Sequence, residues 1–294
     1  MGRTGHPYDP RRSAAGGGSR TPGTVMAHGE EHRFDVWTAG AGYERYMGRW
    51  SRPVAERFTY WLGRPQRLRW LDVGCGTGGL SAAVAARCRP LEVLAIDRSP
   101  GYAGWARAAA TAGTHVVVAD ARDLPVRDGA CDAVVSGLTL NFLAPPAAAV
   151  AEMVRTVRAG GLVAAYVWDY AGGMDLLRLF WGAAVDADPS AAALDERRRF
   201  PLCRPDALGA LWTQAGLGEV SVAPIEVPTV FADFADLWEP FLTGQGPAPG
   251  YLATLSAADR ERVRDALRAA LPCGPGGSVE LTARAWAVRG RRAG

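Results

Sequence analysis

The chain has 294 residues, 48% of them hydrophobic, and a formal net charge of +3, which suits one large domain or two modest ones. Arg3, Arg11, Arg12 and Arg20 against Asp9 account for that +3, so the rest of the chain is formally neutral, which argues against a large nucleic-acid surface. No apolar stretch reaches the length of a membrane span, and the five scattered cysteines (75, 88, 131, 203 and 273) and four histidines offer no zinc spacing.

Residues 1–25 are rich in Gly, Pro, Ser and Arg and read as a disordered tail, with Met26 as a second possible start. The N-terminus lacks the apolar h-region of a signal peptide, and the cysteine usage fits a reducing, cytoplasmic setting. Residues 26–63 form a helical cap in this reading. Apolar and aromatic residues recur there at helical spacing, and a break near Ser51-Arg52-Pro53 divides two helices, with Pro53 in a first turn behind Ser51. His28 and His32 lie in this segment.

An alternation of short apolar runs and helical segments follows. Strands are expected at 68–73, 91–96, 115–119, 131–136 and 161–168, with helices at 80–88, 101–111 and 147–157. Strands apolar on both faces between helices predict an α/β fold with a doubly wound, mostly parallel sheet. After residue 170 the pattern changes. Helices are expected near 174–186 and 205–215, a strand at 219–227, and a mainly helical stretch at 231–271, interrupted at 244–250. A long strand at 278–290 then leaves a short tail at 291–294. The late strands predict an antiparallel edge, for seven strands in all. The organisation is thus a core at 64–170 and a C-terminal part at 171–290 that completes the sheet and adds helical insertions on the substrate side.

Residues 71–79 read LDVGCGTGG, directly after the first strand. Gly74, Gly76 and Gly78 allow a tight turn and close approach of a ligand, and the N–H groups at the following helix start suit an anionic group. Gly74-x-Gly76-x-x-Gly79 also matches the dinucleotide fingerprint, and Asp97, ending strand two, fits a ribose partner in either reading. Asp72 before the loop, Asp120 directly after strand three and SGLTLNFL (136–143) after strand four favour one of them.

With those residues the sequence resembles the class I S-adenosylmethionine-dependent methyltransferases. It looks most like the methyltransferase type 11 group of small-molecule enzymes that includes the ubiquinone/menaquinone C-methyltransferases. The resemblance covers residues 40–170 by motif and extends more weakly to 290. It implies a Rossmann-like core that binds S-adenosyl-L-methionine and releases S-adenosyl-L-homocysteine. In that picture Asp72 and Gly74, Gly76 and Gly78 line the methionine end, and Asp97 accepts both ribose hydroxyls. Asp120 accepts from the adenine amino group, Ala121 and Arg98 lie beside the ring, and Ser136 and Leu138 flank the sulfonium.

The expected activity is methyl transfer to a small-molecule acceptor at O, C or N. The alternatives are an NAD(P)-dependent oxidoreductase on a similar sheet and a non-catalytic protein that binds the same cofactor. Asp169 is a base or substrate anchor, or else a capping residue. Tyr46, with Tyr43 and Trp50, forms a lid or packs in the core, and Arg45 or Arg49 reaches the cofactor carboxylate or lies in solvent. Asn141, Phe142, Trp168 and Tyr170 are the candidate substrate wall. Aromatic residues at 180–181, 199–212 and 231–251 suggest an apolar cavity or a dimer face. Ala144-Pro145-Pro146-Ala147 lacks the acidic or amide residue and the aromatic of the amino-methyltransferase signature, which disfavours adenine or glutamine N-methylation. No metal is expected, and the chain is read as a monomer or homodimer.

Overall fold

The computed structural model describes residues 8–9, 40–243, 246–272 and 274–294. Most of the expected tail, together with His28, His32 and Cys273, lies outside the described residues. Tyr8 and Asp9 do not behave as tail. Tyr8 forms an antiparallel bridge with Val126, and the Asp9 N–H donates to the Pro125 carbonyl at 2.9 Å.

The cap is a single helical run rather than two helices. It comprises α1 (Gly40–Tyr43), a π-helical stretch (Glu44–Gly48) and α2 (Arg49–Trp61). Pro53 sits inside α2, not at its start. At the fifth position of α2 it has no N–H to give the carbonyl four residues back, that of Arg49.

The sheet then builds in chain order: β1 (Arg69–Val73), α3 (Gly79–Cys88), β2 (Glu92–Asp97), α4 (Pro100–Ala109), β3 (Thr114–Val118), β4 (Cys131–Gly137), α5 (Pro146–Thr156) and β5 (Val157–Trp168). Val134, Val135, Val163 and Ala164 are fully buried, as central strands covered on both faces require. Then come α6 (Asp175–Ala187), α7 (Glu196–Arg199), α8 (Pro205–Gln214), β6 (Leu217–Phe231), α9 (Phe234–Trp238), α10 (Pro247–Thr254), α11 (Ala257–Ala270) and β7 (Val279–Arg292).

The seven strands lie in the order β3-β2-β1-β4-β5-β7-β6. β1 to β5 pair in parallel, and β7 runs antiparallel to both β5 and β6. The expected antiparallel edge is therefore the β7–β6 pair, with β7 inserted between β5 and β6. Both strands outrun their expected lengths. β6 continues through Pro224 and Pro228 to Phe231, which an edge strand permits because one row of its N–H groups needs no partner. β7 reaches into the expected tail, where Arg291 pairs with Leu162 and Arg292 with Leu217.

Right-handed crossovers place α3 and α4 on one face and α5 on the other. The chain reverses its direction of growth between β1 and β4, so the carboxyl ends of these strands open a crevice.

Candidate active site

A cavity of about 470 Å³ fills that crevice, bounded by the loops after β1, β2, β4 and β5 and roofed by the cap. Its floor is the glycine loop. Gly74, Gly76 and Gly78 have φ of +74°, +54° and +90°, a left-handed conformation that side chains resist. Gly74 and Cys75 donate N–H bonds to the Ile96 carbonyl at 2.7 and 2.9 Å, which fixes the loop against β2. A Cβ on Gly74 would come within 2.3 Å of the Thr139 side chain, whose Oγ1 donates to the Gly74 carbonyl at 2.9 Å. Gly76 has nothing within 4 Å of its Cβ direction and lines the cavity. Gly78 does not line it. It is the left-handed N-cap of α3, and Gly79 lines the cavity instead.

Asp97 lies at the end of β2, only 9% exposed, and lines the cavity. The Gly76 N–H donates to its Oδ2 at 2.9 Å and the Ser99 N–H to its Oδ1 at 2.8 Å. Burial raises the carboxyl's pKa, against the pull of those two donors. Arg98, Ala121 and Leu138 also line the cavity. Tyr102, in the first turn of α4, lines it as well, and its hydroxyl is buried with no hydrogen-bond partner among the described residues. An oriented carboxylate, an open backbone cradle and an orphaned hydroxyl in one crevice form a site for a polyhydroxylated ligand.

Besides Gly78, three expected cofactor residues lie outside the lining. Asp120 is flanked by the lining residues Ala119 and Ala121, but Arg122 grips its carboxylate through Nε (2.9 Å) and Nη2 (2.7 Å) and holds its pKa below the usual range. Ser136 is fully buried and donates to the Val73 carbonyl at 2.7 Å, tying β4 to β1. Asp72 lies beneath the loop, where Ser81 Oγ donates to its Oδ2 at 2.6 Å and burial pushes its carboxyl up to about 7.

Asp72 makes stability depend on pH with a definite sign. Its folded pKa lies above its unfolded one, so the folded state binds the extra proton and loses that advantage as pH rises towards 7. Asp72→Asn is therefore expected to gain stability relative to the parent between pH 5 and pH 8, as read by urea unfolding at the two values.

The roof comes from the cap. Tyr43, Tyr46, Met47 and Ser51 line the cavity, whereas Trp50 packs edge-on to Phe231 at 5.1 Å. Tyr43 and Tyr46 therefore face the cavity, and Trp50 packs in the core. The roof is pinned to the floor by Thr77 Oγ1, which donates to Glu44 Oε1 at 2.6 Å. Arg49 is committed elsewhere, to Asp236 at 2.7 Å.

At the far end, Phe142, Trp168 and Tyr170 line the cavity as expected. Asn141 does not, although it stands beside Phe142; its Nδ2 is buried with no partner among the described residues. Asp169 is also absent from the lining. It faces Arg284 on β7, whose Nε and Nη2 donate to its Oδ2 at 2.7 and 2.6 Å. Trp168 and Tyr170 point one way at this strand end, and the residue between them points the other. Asp169 is thus reassigned from base to structural ion pair. The later aromatic residues build the wall behind the cavity: Phe180 stacks on Phe241 at 4.7 Å, and Phe241 meets Tyr46 at 5.3 Å.

One acidic residue at this end escaped the sequence reading. Glu196 is 3% exposed and lines the cavity. Trp181 donates its indole N–H to Glu196 Oε2, and burial pushes the carboxyl up to about 8. The only sequence signal was its position just before an aromatic and a cysteine-containing turn, in DERRRFPLC.

Residues 71–165, which contain the loop, the last three residues of β1 and all of β2 to β4, match the methyltransferase domain family. Over that span the chain is similar to methyltransferase domains. It is 35% identical over 156 residues to the malonyl-[acyl-carrier protein] O-methyltransferase of Geobacter sulfurreducens, covering 52% of this chain and 57% of that protein. It is 33% identical over 98 residues to the chloroplastic 2-methyl-6-phytyl-1,4-hydroquinone methyltransferase 2 of Oryza sativa subsp. japonica, covering 33% and 28%. The chain thus spans about half or less of the length of these curated relatives. The Haemonchus contortus phosphoethanolamine N-methyltransferase 2, solved with S-adenosyl-L-methionine, shares the fold at a TM-score of 0.54 and 14% identity, covering 87% of this chain and 57% of that one.

Proposed function

We propose that this chain transfers a methyl group from S-adenosyl-L-methionine to a small-molecule acceptor. One observation carries the reading: the open glycine cradle and the oriented Asp97 share a single cavity with an aromatic-walled pocket. The cofactor supplies a sulfonium-activated methyl, so the chain needs no nucleophile of its own. Asp97 has lone pairs left over from its two backbone donors and accepts from the ribose hydroxyls. The Tyr102 hydroxyl adds a polar partner on the same wall. Asp120 accepts from the adenine amino group with the oxygen lone pairs that Arg122 leaves free. The Gly74–Gly76 backbone holds the methionine end. Tyr43, Tyr46 and Met47 in the roof exclude water, and the pocket aligns the acceptor for in-line attack.

The reading includes a reducing, cytoplasmic setting, supported by the buried free thiols of Cys75, Cys88, Cys131 and Cys203. No helix among the described residues is long and apolar enough to cross a membrane.

Calorimetric titration of the purified protein with S-adenosylhomocysteine, with NADH as control, tests the assignment. S-adenosylhomocysteine is expected to bind and NADH not. Binding of NADH, or of neither ligand, would overturn it.

A further inference from the structure

The acceptor end of the cavity has an unusual charge balance. Of the charged residues that line the cavity, Asp97 and Glu196 are acidic and Arg98 is basic. Arg98 adjoins Asp97 in sequence and belongs to the nucleotide end. The acceptor end therefore presents one carboxyl and no cation among its described lining residues.

Glu196 is not neutralised by a bidentate partner. Its side-chain donor among the described residues is the neutral indole of Trp181. Neighbouring Asp195 takes the Arg197 guanidinium for itself, at 2.7 Å from Nε. The charge of Arg199, three residues on, favours the ionised carboxyl, but burial outweighs it and the pKa stays raised. Tyr46, Trp168 and Tyr170 line the same cavity as this carboxyl, whose charge helps to raise the pKa values of both tyrosines.

A carboxyl facing an apolar pocket is costly in its charged form unless a cation joins it. Aromatic faces around such a carboxyl complete a cation-binding arrangement. Neither a carboxylate nor a neutral hydroxyl acceptor supplies a charge that would compensate the ionised form of Glu196.

Resting on the methyl-transfer reading, we propose that the acceptor is an amine, protonated in solution, whose nitrogen is held by Glu196 among the rings of Tyr46, Trp168 and Tyr170. The same carboxylate frees the nitrogen lone pair. The ammonium N–H bond breaks, an O–H bond forms on Glu196, and no further reactant is needed.

The test uses protein saturated with S-adenosylhomocysteine, titrated with phenethylamine, 2-phenylethanol and phenylacetate while tryptophan fluorescence is followed. The amine is expected to bind about tenfold or more tighter than the alcohol, with phenylacetate weakest. Glu196→Gln is expected to abolish the preference and Glu196→Asp to restore part of it, both with unchanged S-adenosylhomocysteine affinity. Equal binding of the three probes, or an amine preference that survives in Glu196→Gln, would overturn the proposal. Should Glu196→Gln fail to fold, the wild-type probe series still decides. Failure of S-adenosylhomocysteine to bind wild-type protein would instead count against methyl transfer itself, so the two failures are distinguishable.

Discussion

Replacing Asp169 by alanine is expected to lower unfolding stability by about 2–3 kcal/mol while leaving S-adenosylhomocysteine affinity unchanged. Asp169 is 2% exposed, and the turn that follows β5 is organised around it. The Gly172 N–H donates to its Oδ1 at 3.2 Å, and two guanidinium nitrogens of Arg284 donate to its Oδ2. The backbones are zipped as well: the Asp169 N–H donates to the Arg284 carbonyl at 2.9 Å, and the Arg284 N–H to the Gly173 carbonyl at 2.7 Å. Removing one partner of a fully buried pair costs roughly 3–5 kcal/mol. The Arg284 side chain is 30% exposed and lies 3.4 Å from Glu226, so water and a second acid relieve part of the loss. That places the effect at the lower end. Urea unfolding measures it. Unchanged stability with turnover lost would return Asp169 to the catalytic machinery.

Asp169 and Glu196 show where sequence reading succeeds and where it stops. Asp169 attracted attention because it stands between two aromatic residues at a strand end, in WDY. The same pattern held the correction. If Trp168 and Tyr170 face the cavity, the period of two turns the residue between them away. Glu196 sits in DERRR, which reads as a solvated charge cluster. Its burial depends on Trp181, fifteen residues earlier and on another helix, and no local pattern encodes that meeting.

The glycine loop was legible for the opposite reason. Its demand is local: three backbone positions at positive φ, each of which a Cβ would strain. The central strands were legible because burial on both faces leaves unbroken apolar runs. The edge was less so. Pro228 suggests an end to β6, yet the pairing with β7 carries the strand past it to Phe231. Likewise Tyr102 and Glu44 lie in ordinary helical sequence. Their place at the site follows from how α4 and the cap pack over the loop, which is a tertiary fact.

Asp97→Ala is expected to weaken S-adenosylhomocysteine binding by about 100-fold or more. Two hydrogen bonds from ribose hydroxyls to a charged acceptor contribute roughly 1.5–3 kcal/mol each, and about 1.4 kcal/mol is a factor of ten. The loss extends beyond those bonds. Asp97 also accepts from the Gly76 and Ser99 N–H groups, so its removal frees the floor of the cavity that must receive the methionine end. Asp97→Asn keeps one acceptor oxygen and is expected to fall between the two. Folding of the unliganded variant should be little affected, because burial already works against the charged carboxyl. Thermal unfolding with and without ligand separates the effects: the ligand-induced rise in Tm should vanish while the baseline Tm stays near that of the parent. A folded Asp97→Ala variant with unchanged affinity would remove Asp97 from the cofactor site. It would also leave the two backbone N–H donors as the sole reason for an acid at the end of β2.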